Sequence, residues 1–215
     1  MLRTKIKASA ITNLTDARYF AAWEVEWLGF DLDPASESFI KPMQVEAIKE
    51  WVEGPKITGE FNLQSYEEIE EAAAKLDLDA VQVGMLTPLE TLTNLDLDVP
   101  VIKEIIVQAE HSPADLEAIL QEFAPQVQYF LLDFQRNGFH YDTLQSFHFS
   151  QDWLREQCAS YSILLSIDFD PDKTNELLEH LQPAGLSIRG GEEEKVGVKL
   201  FDDIDDIFEA LETFE

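Results

Sequence analysis

Lys56-Ile57-Thr58-Gly59-Glu60-Phe61, followed by Ser65-Tyr66-Glu67-Glu68 and then by Ala80-Val81-Gln82-Val83, is the stretch that decides the fold. The outer segments are short β-rich apolar runs. Between them, Ser65 and Glu68 have the spacing of a capping box, which predicts a helix over 67–76. Strand, helix and strand in under thirty residues is the unit of a parallel sheet, and the alternation recurs along the chain. Strands are expected over 5–8, 27–31, 56–61, 80–83, 101–106, 129–132, 162–165 and 185–188. Helices are expected over 16–23 after Thr15, 42–52 from Pro42, 67–76, 88–92, from Ser112 to about 123, 150–159, 172–181 and 202–211. Eight such units over about 210 residues, roughly 26 each, predict a (β/α)8 TIM barrel, one domain over 1–215. An open doubly wound sheet is the runner-up, but no glycine-rich dinucleotide fingerprint follows the first strand. In a barrel the functional groups stand at the carboxyl ends of the strands and in the loops that follow.

Composition narrows the partners. With 43 acidic and 15 basic residues the formal net charge is -28. Such a field repels nucleic acid, anionic membranes and phosphorylated metabolites, within a screening length of about 8 Å at physiological salt. It suits a cationic ligand, a basic partner or a salty solvent. No apolar run approaches the roughly 20 residues that span a bilayer, and the start of the chain lacks an apolar signal core. A single cysteine, Cys158, forms no internal disulfide and is expected to be inert in a helix. A cytoplasmic protein is expected, monomer or homodimer, with no cofactor.

Lys7-Ala8-Ser9-Ala10-Ile11-Thr12-Asn13-Leu14 resembles the opening of the phosphoribosylanthranilate isomerase family, Lys-Ile-Cys-Gly-Ile-Thr. Further blocks follow in order. Leu28-Gly29-Phe30, Val81-Gln82, Val101-Ile102-Lys103, Leu131-Leu132-Asp133, Asp152-Trp153 and Gly197-Val198-Lys199 are each similar to a family segment. The resemblance covers essentially the whole chain. It implies a TIM barrel of tryptophan biosynthesis, a phosphorylated sugar as ligand and an Amadori rearrangement. In that reaction an aspartic acid protonates the ribose ring oxygen and a cysteine thiolate takes the C2′ proton.

Carried onto this chain, Asp133 matches the general acid and Ser9 stands where the family has its cysteine base. Ala10 stands where it has glycine. A hydroxyl stays protonated unless another base activates it, and losing general-base help costs about 10²- to 10⁴-fold. The family's substrate arginine aligns with Ser38, and a histidine aligns with Gly84. Its glycine- and lysine-rich phosphate loop aligns with Phe134-Gln135-Arg136-Asn137-Gly138, and the loop after strand seven carries Asp168 and Asp170. Only the last turn, Arg189 with Gly190 and Gly191, still suits an anion. Lys103 is expected either to pair with Asp133 or to line a ligand pocket. Asp133 is expected to act as the acid or to hold the sixth loop through backbone hydrogen bonds.

Asp31, Asp33, Glu60 and Glu104 are further strand-end carboxylates, joined in the sixth loop by His140, Asp142 and His148. They suit a cationic ligand or a hard cation, although no metal centre is expected. Trp23, Trp27, Trp51 and Trp153 read as packing aromatics, and Glu192-Glu193-Glu194-Lys195 as a solvated loop. Three functions stay open. The first is an isomerase-like barrel with the activity impaired or absent, acting as a binding or accessory protein. The second is a retained isomerase with a substitute base. The third is a different enzyme with an acidic, cation-binding mouth.

Overall fold

The computed structural model describes residues 1–189, 193–195, 198, 199 and 201–213. Eight parallel strands close in sequence order into a barrel: β1 (Lys5–Ser9), β2 (Trp27–Asp31), β3 (Lys56–Phe61), β4 (Ala80–Val83), β5 (Val101–Ile106), β6 (Tyr129–Asp133), β7 (Ile163–Ser166) and β8 (Gly185–Arg189). The ring shuts where β1 pairs with β8, from Lys5 opposite Gly185 to Ser9 opposite Arg189. Helices follow the strands: α1 (Leu14–Ala22), α2 (Pro42–Lys49), α3 (Tyr66–Leu76), α4 (Leu89–Asn94), α5 (Pro113–Phe123), α6 (Gln151–Ser160), α7 (Thr174–Leu181) and α8 (Asp202–Leu211). The predicted (β/α)8 barrel is therefore the observed architecture. Among the described residues no helix is long and apolar enough to cross a membrane.

Side chains alternate between the two faces of each strand, so one parity fills the barrel and the other meets the helices. The apolar plug of the interior is Trp27, Ala80, Ile102, Leu131 and Leu164, with Tyr129 packed against it. The larger core, including Ile6, Phe30, Val81, Val83, Ile105, Phe130 and Leu165, lies between strands and helices. Above the plug the interior turns polar. Lys7, Ser9, Glu60, Gln82, Glu104, Asp133, Ser166 and Ser187 are all buried there. A Cβ added at Gly29 would lie 2.1 Å from Glu60 Oε1 and 2.7 Å from Lys7 Nζ, so the glycine is what leaves room for that pair.

Several local readings are corrected. Asn13, not Thr15, caps α1: its Oδ1 accepts from the N–H of Asp16 at 3.0 Å. An Asx cap that bonds three residues on wins over a neighbouring threonine. Helix α2 ends at Lys49 rather than at 52, and Lys49 donates to the carbonyl oxygen of Asp77 at 3.0 Å. The seventh helix starts with a 3₁₀ turn over Pro171–Lys173 before α7. Trp51 is 70% exposed rather than packed into the core. Glu193–Lys195 forms a strand, β9, antiparallel to β10 (Val198–Lys199), where a loop was expected. Glu192 lies outside the described residues.

The connection 134–150 between β6 and α6 is not an extended loop. Two 3₁₀ turns, Gln135–Asn137 and Tyr141–Phe147, fold it over itself. Phe134, Phe139, Tyr141, Leu144 and Phe149 are fully buried. The rings of Phe134, Phe139 and Phe149 meet edge to face at 5.7–6.1 Å, a favoured aromatic geometry. The segment is also zipped to the loop after β7: Tyr141 N–H donates to Asp168 O at 2.8 Å and Asp168 N–H to Phe139 O at 3.3 Å.

Candidate functional site

The carboxyl ends of the strands open into a cavity of about 410 Å³. Ser9, Asp31, Asp33, Glu60, Gln82 and Glu104 line it, with Arg136 and Arg189 at one side. Register explains the convergence. Ser9 faces Arg189, Asp31 faces Glu60, Glu60 faces Gln82, and Asp133 faces Ser166 across neighbouring strands. Parallel partners point the same way, so each pair shares the interior.

At the β1 side, Lys7 is buried and ion-paired with Glu60, and its Nζ also donates to Ser9 Oγ at 2.8 Å. Ser9 Oγ shares a second hydrogen bond with Ser187 Oγ at 2.9 Å. The other Glu60 oxygen accepts from Ala10 N–H at 3.3 Å. Ala10 holds φ at +55°, a left-handed conformation that costs an L-residue about 1–2 kcal/mol. The backbone of the opening turn thus keeps the shape a glycine would give it.

At the β6 side, Asp133 is fully buried. One oxygen accepts from the backbone N–H of Arg136 at 2.9 Å, and the other from Arg189 at 3.2 Å, with the Arg136 guanidinium at 3.7 Å. Both oxygens are therefore engaged as acceptors, and the carboxylate pins the start of the sixth connection. Arg189 also lies 3.8 Å from Glu104. Burial raises the Glu104 carboxyl above its ordinary range; Arg136 and Arg189 counter this, while Glu60 and Asp133 reinforce it.

Asp31 accepts from Asp33 N–H at 3.0 Å, from Ser38 Oγ at 3.1 Å and from the Ser36 hydroxyl. Burial first, and then the Glu60 charge, raise its carboxyl against those hydrogen bonds. Ser38, at the position of the family's arginine, is thus a donor to Asp31. At Gly84, the position of the family's histidine, a Cβ would lie 2.4 Å from Asn62 Oδ1, so a side chain has no room without displacing Asn62.

Gln82 lines this cavity, and its Oε1 is buried without a hydrogen-bond partner.

The expectation for Lys103 is corrected. It meets neither Asp133 nor the cavity. Its Nζ donates to the carbonyl oxygens of Gly84 at 2.7 Å and Thr87 at 2.9 Å, and lies 4.5 Å above the Phe123 ring. Burial there lowers its ammonium to about 8. Lys103 neighbours Glu104 in sequence, so it takes the opposite face of β5. Asp168 does not enter the main cavity. It accepts from Gln135 Nε2 at 2.8 Å in a smaller adjoining cavity of about 120 Å³ that shares Arg189. His140 lines that smaller cavity, with its Nε2 3.9 Å from Asp170, while Asp142 and His148 are exposed. Gly190 and Gly191 lie outside the described residues. Among the described residues no three His, Cys, Asp or Glu side chains converge as a metal would require. Cys158 is buried, and its thiol is pushed up to about 12.

Three residues of the site were missed in sequence: Lys7, Gln82 and Arg136. Parity held the signal for two of them. Lys7 precedes Ser9 by two on one strand, and Gln82 stands opposite Glu60 on the neighbouring strand.

Comparison with known proteins agrees with this architecture. Residues 6–210 match the family model for N-(5'-phosphoribosyl)anthranilate (PRA) isomerase. The chain is 30% identical over 207 residues to the N-(5'-phosphoribosyl)anthranilate isomerase of Chlorobium luteolum, covering 91% of each chain. It is 27% identical over 201 residues to that of Leptospira interrogans, covering 92% of this chain and 89% of the relative. The solved phosphoribosyl anthranilate isomerase of Thermus thermophilus superposes with a TM-score of 0.75 at 26% identity, over 97% and 98% of the two chains. With the barrel closed in the same order and the match running from β1 to α8, the chain belongs to the N-(5'-phosphoribosyl)anthranilate isomerase family.

Proposed function

We propose that this barrel binds a small molecule at its carboxyl-end mouth, and that the family's Amadori isomerisation is not its principal activity. The observation that carries this reading is the bonding of Ser9. Its hydroxyl accepts from Lys7 at 2.8 Å and shares a hydrogen bond with Ser187 at 2.9 Å. Among the described residues no carboxylate or imidazole bonds to it to take its proton. Glu60, the nearest carboxylate in that network, is occupied by Lys7 and Ala10 N–H. A base-dependent proton transfer at this position therefore lacks a base. The acid side supports the same reading, because both oxygens of Asp133 accept hydrogen bonds.

A second reading is a retained N-(5'-phosphoribosyl)anthranilate isomerase, with Asp133 as acid and a substitute base. The names of the relatives favour it more directly than they favour a lost activity. Asp133 also keeps its place at the tip of β6.

Complementation of an isomerase-deficient tryptophan auxotroph separates the two. The first reading expects no growth from the native chain or from Ser9→Cys, since the phosphate loop has changed as well. Growth on the native chain, abolished by Asp133→Asn, establishes the second.

A further inference from the structure

We propose that Glu104 is a general base, and that the mouth removes a proton from carbon in a small neutral molecule while Arg189 and Arg136 meet the negative charge that develops. The inference rests on the reading that the mouth takes a small molecule other than the family's substrate, and names the chemistry done on it.

The first observation is a difference among the mouth carboxylates. Glu60, Asp31, Asp33 and Asp133 each accept hydrogen bonds from the protein. Glu104 accepts none among the described residues. Its one ion contact is Arg189 at 3.8 Å, beyond hydrogen-bond reach. Yet Glu104 is only 8% exposed. A carboxylate buried for structure brings its donors with it, and one left without them has its lone pairs free for a proton.

The second is access. Gln82 Oε1 is sealed, but the Glu104 side chain is 11% exposed and lines the 410 Å³ cavity. Ile106, two residues on along β5, lines it too, with Phe61, Met85 and Leu86. Apolar walls around a few placed polar groups suit a small organic ligand, and the volume lies within the usual range of roughly 300–1,000 Å³. The charged groups that act on Glu104 are Glu60 on β3, Asp133 on β6, Arg136 just beyond it and Arg189 on β8. Burial and the two carboxylates outweigh the arginines and raise its carboxyl. It is thereby a stronger base than a surface glutamate.

The third is the pair of arginines. Both line the same cavity, with side chains 34% and 44% exposed for Arg189 and Arg136. Both approach one oxygen of Asp133, at 3.2 and 3.7 Å, which fixes their charge beside Glu104. A guanidinium stays charged throughout the working pH range and stabilises an oxygen that gains charge. On a carbonyl compound Glu104 takes the proton next to the C=O group. The C–H electron pair forms a C=C bond, the C=O pair moves to oxygen, and Arg189 meets the enolate. Return of the proton from Glu104 to carbon closes the cycle with no co-reactant.

The test uses 5-nitrobenzisoxazole, a neutral aromatic with one acidic ring C–H. Loss of that proton drives the C–H pair into a C≡N bond and breaks the ring N–O bond, releasing a coloured phenolate. The full chain is expected to release it faster than acetate at equal concentration. The rate should rise with pH and level off around a midpoint above the ordinary carboxyl value of about 4.3. Glu104→Gln is expected to lower kcat/KM about 10²-fold or more. Arg189→Met is expected to lower kcat about tenfold or more. It also moves the pH midpoint upward, because the guanidinium favours the ionised carboxylate. Glu179→Gln, on the distant surface, is expected to change nothing. Circular dichroism establishes that each variant is folded. No acceleration, an acceleration that survives Glu104→Gln, or a native pH profile without that titration overturns the proposal. A chain that turns over N-(5'-phosphoribosyl)anthranilate overturns the reading beneath it. A chain that turns over neither compound loses the base and leaves that reading standing.

Discussion

The two halves of the barrel mouth have been built in opposite ways. Over β1 to β5 the strand tips carry Ser9, Asp31, Glu60, Gln82 and Glu104 around open space. Over β6 and β7 the corresponding space is largely closed, leaving the smaller cavity of about 120 Å³. Phe134, Phe139 and Phe149 form an aromatic cluster, and the connection above it is stitched to the seventh loop through Tyr141 and Asp168. The first half is lined by carboxylates and an amide; the second is built on buried rings. A phosphorylated ligand needs a loop whose backbone N–H groups face outward. In the described part of the sixth and seventh connections, the N–H groups of Tyr141 and Asp168 are spent on carbonyls instead. The contrast fits the proposal that the family scaffold persists here while each half of its mouth departs from anion binding by its own route.

The strongest perturbation belongs to the polar half. Lys7→Met leaves Glu60 charged and unpaired inside the barrel, and is expected to destabilise the protein by about 3–5 kcal/mol in urea titration. The companion Lys7→Met with Glu60→Gln is expected to recover much of that. If the single variant is neutral, the pair is not structural and Lys7 is free to serve Ser9. In the packed half, Phe149→Ala is expected to cost about 3–4 kcal/mol while leaving the mouth's ligand binding intact. A loss of binding with no loss of stability means the two halves are coupled.

A smaller effect divides the halves by pH. Glu104 in the native chain holds its proton more tightly than in the unfolded chain. Its contribution to stability is therefore fully present below the ordinary carboxyl value of about 4.3. It is lost as pH rises through the higher native value. Glu104→Gln is expected to flatten that decline in stability curves taken across acidic to neutral pH, whereas Phe149→Ala shifts the curve uniformly. The smallest effect sits at the rim. Ala10→Gly relieves a φ of +55° and is expected to stabilise by about 0.5–1 kcal/mol, because glycine also frees the unfolded chain. An unchanged melting temperature means the turn at Ala10 is not strained.

Much of the barrel was legible because its signals are local. The strands at 27–31, 56–61, 80–83 and 101–106 have the bounds read from their apolar runs, and Ser65 and Ser112 cap α3 and α5 as their spacing predicts. Where two cap-forming residues lie close together, as Asn13 and Thr15 do, local pattern does not choose between them. The site was legible to the extent that strand-end position decides it, which placed Ser9, Asp133, Glu60 and Glu104 in the mouth. Lys103 failed because a one-residue step on a strand reverses the face. Gln82 was missed because an uncharged amide gives no signal until its burial and missing partner are seen. The aromatic packing of 134–150 depends on rings brought together by two 3₁₀ turns, which no periodicity announces.

Direct assay of the purified chain with N-(5'-phosphoribosyl)anthranilate, native and Ser9→Cys side by side, decides whether the mouth has been rewritten. No turnover by either protein is the result the proposal expects, because among the described residues no base bonds to Ser9 and the sixth connection lacks the glycine- and lysine-rich loop that the family resemblance implies. Turnover by the native chain that is lost in Asp133→Asn would contradict it.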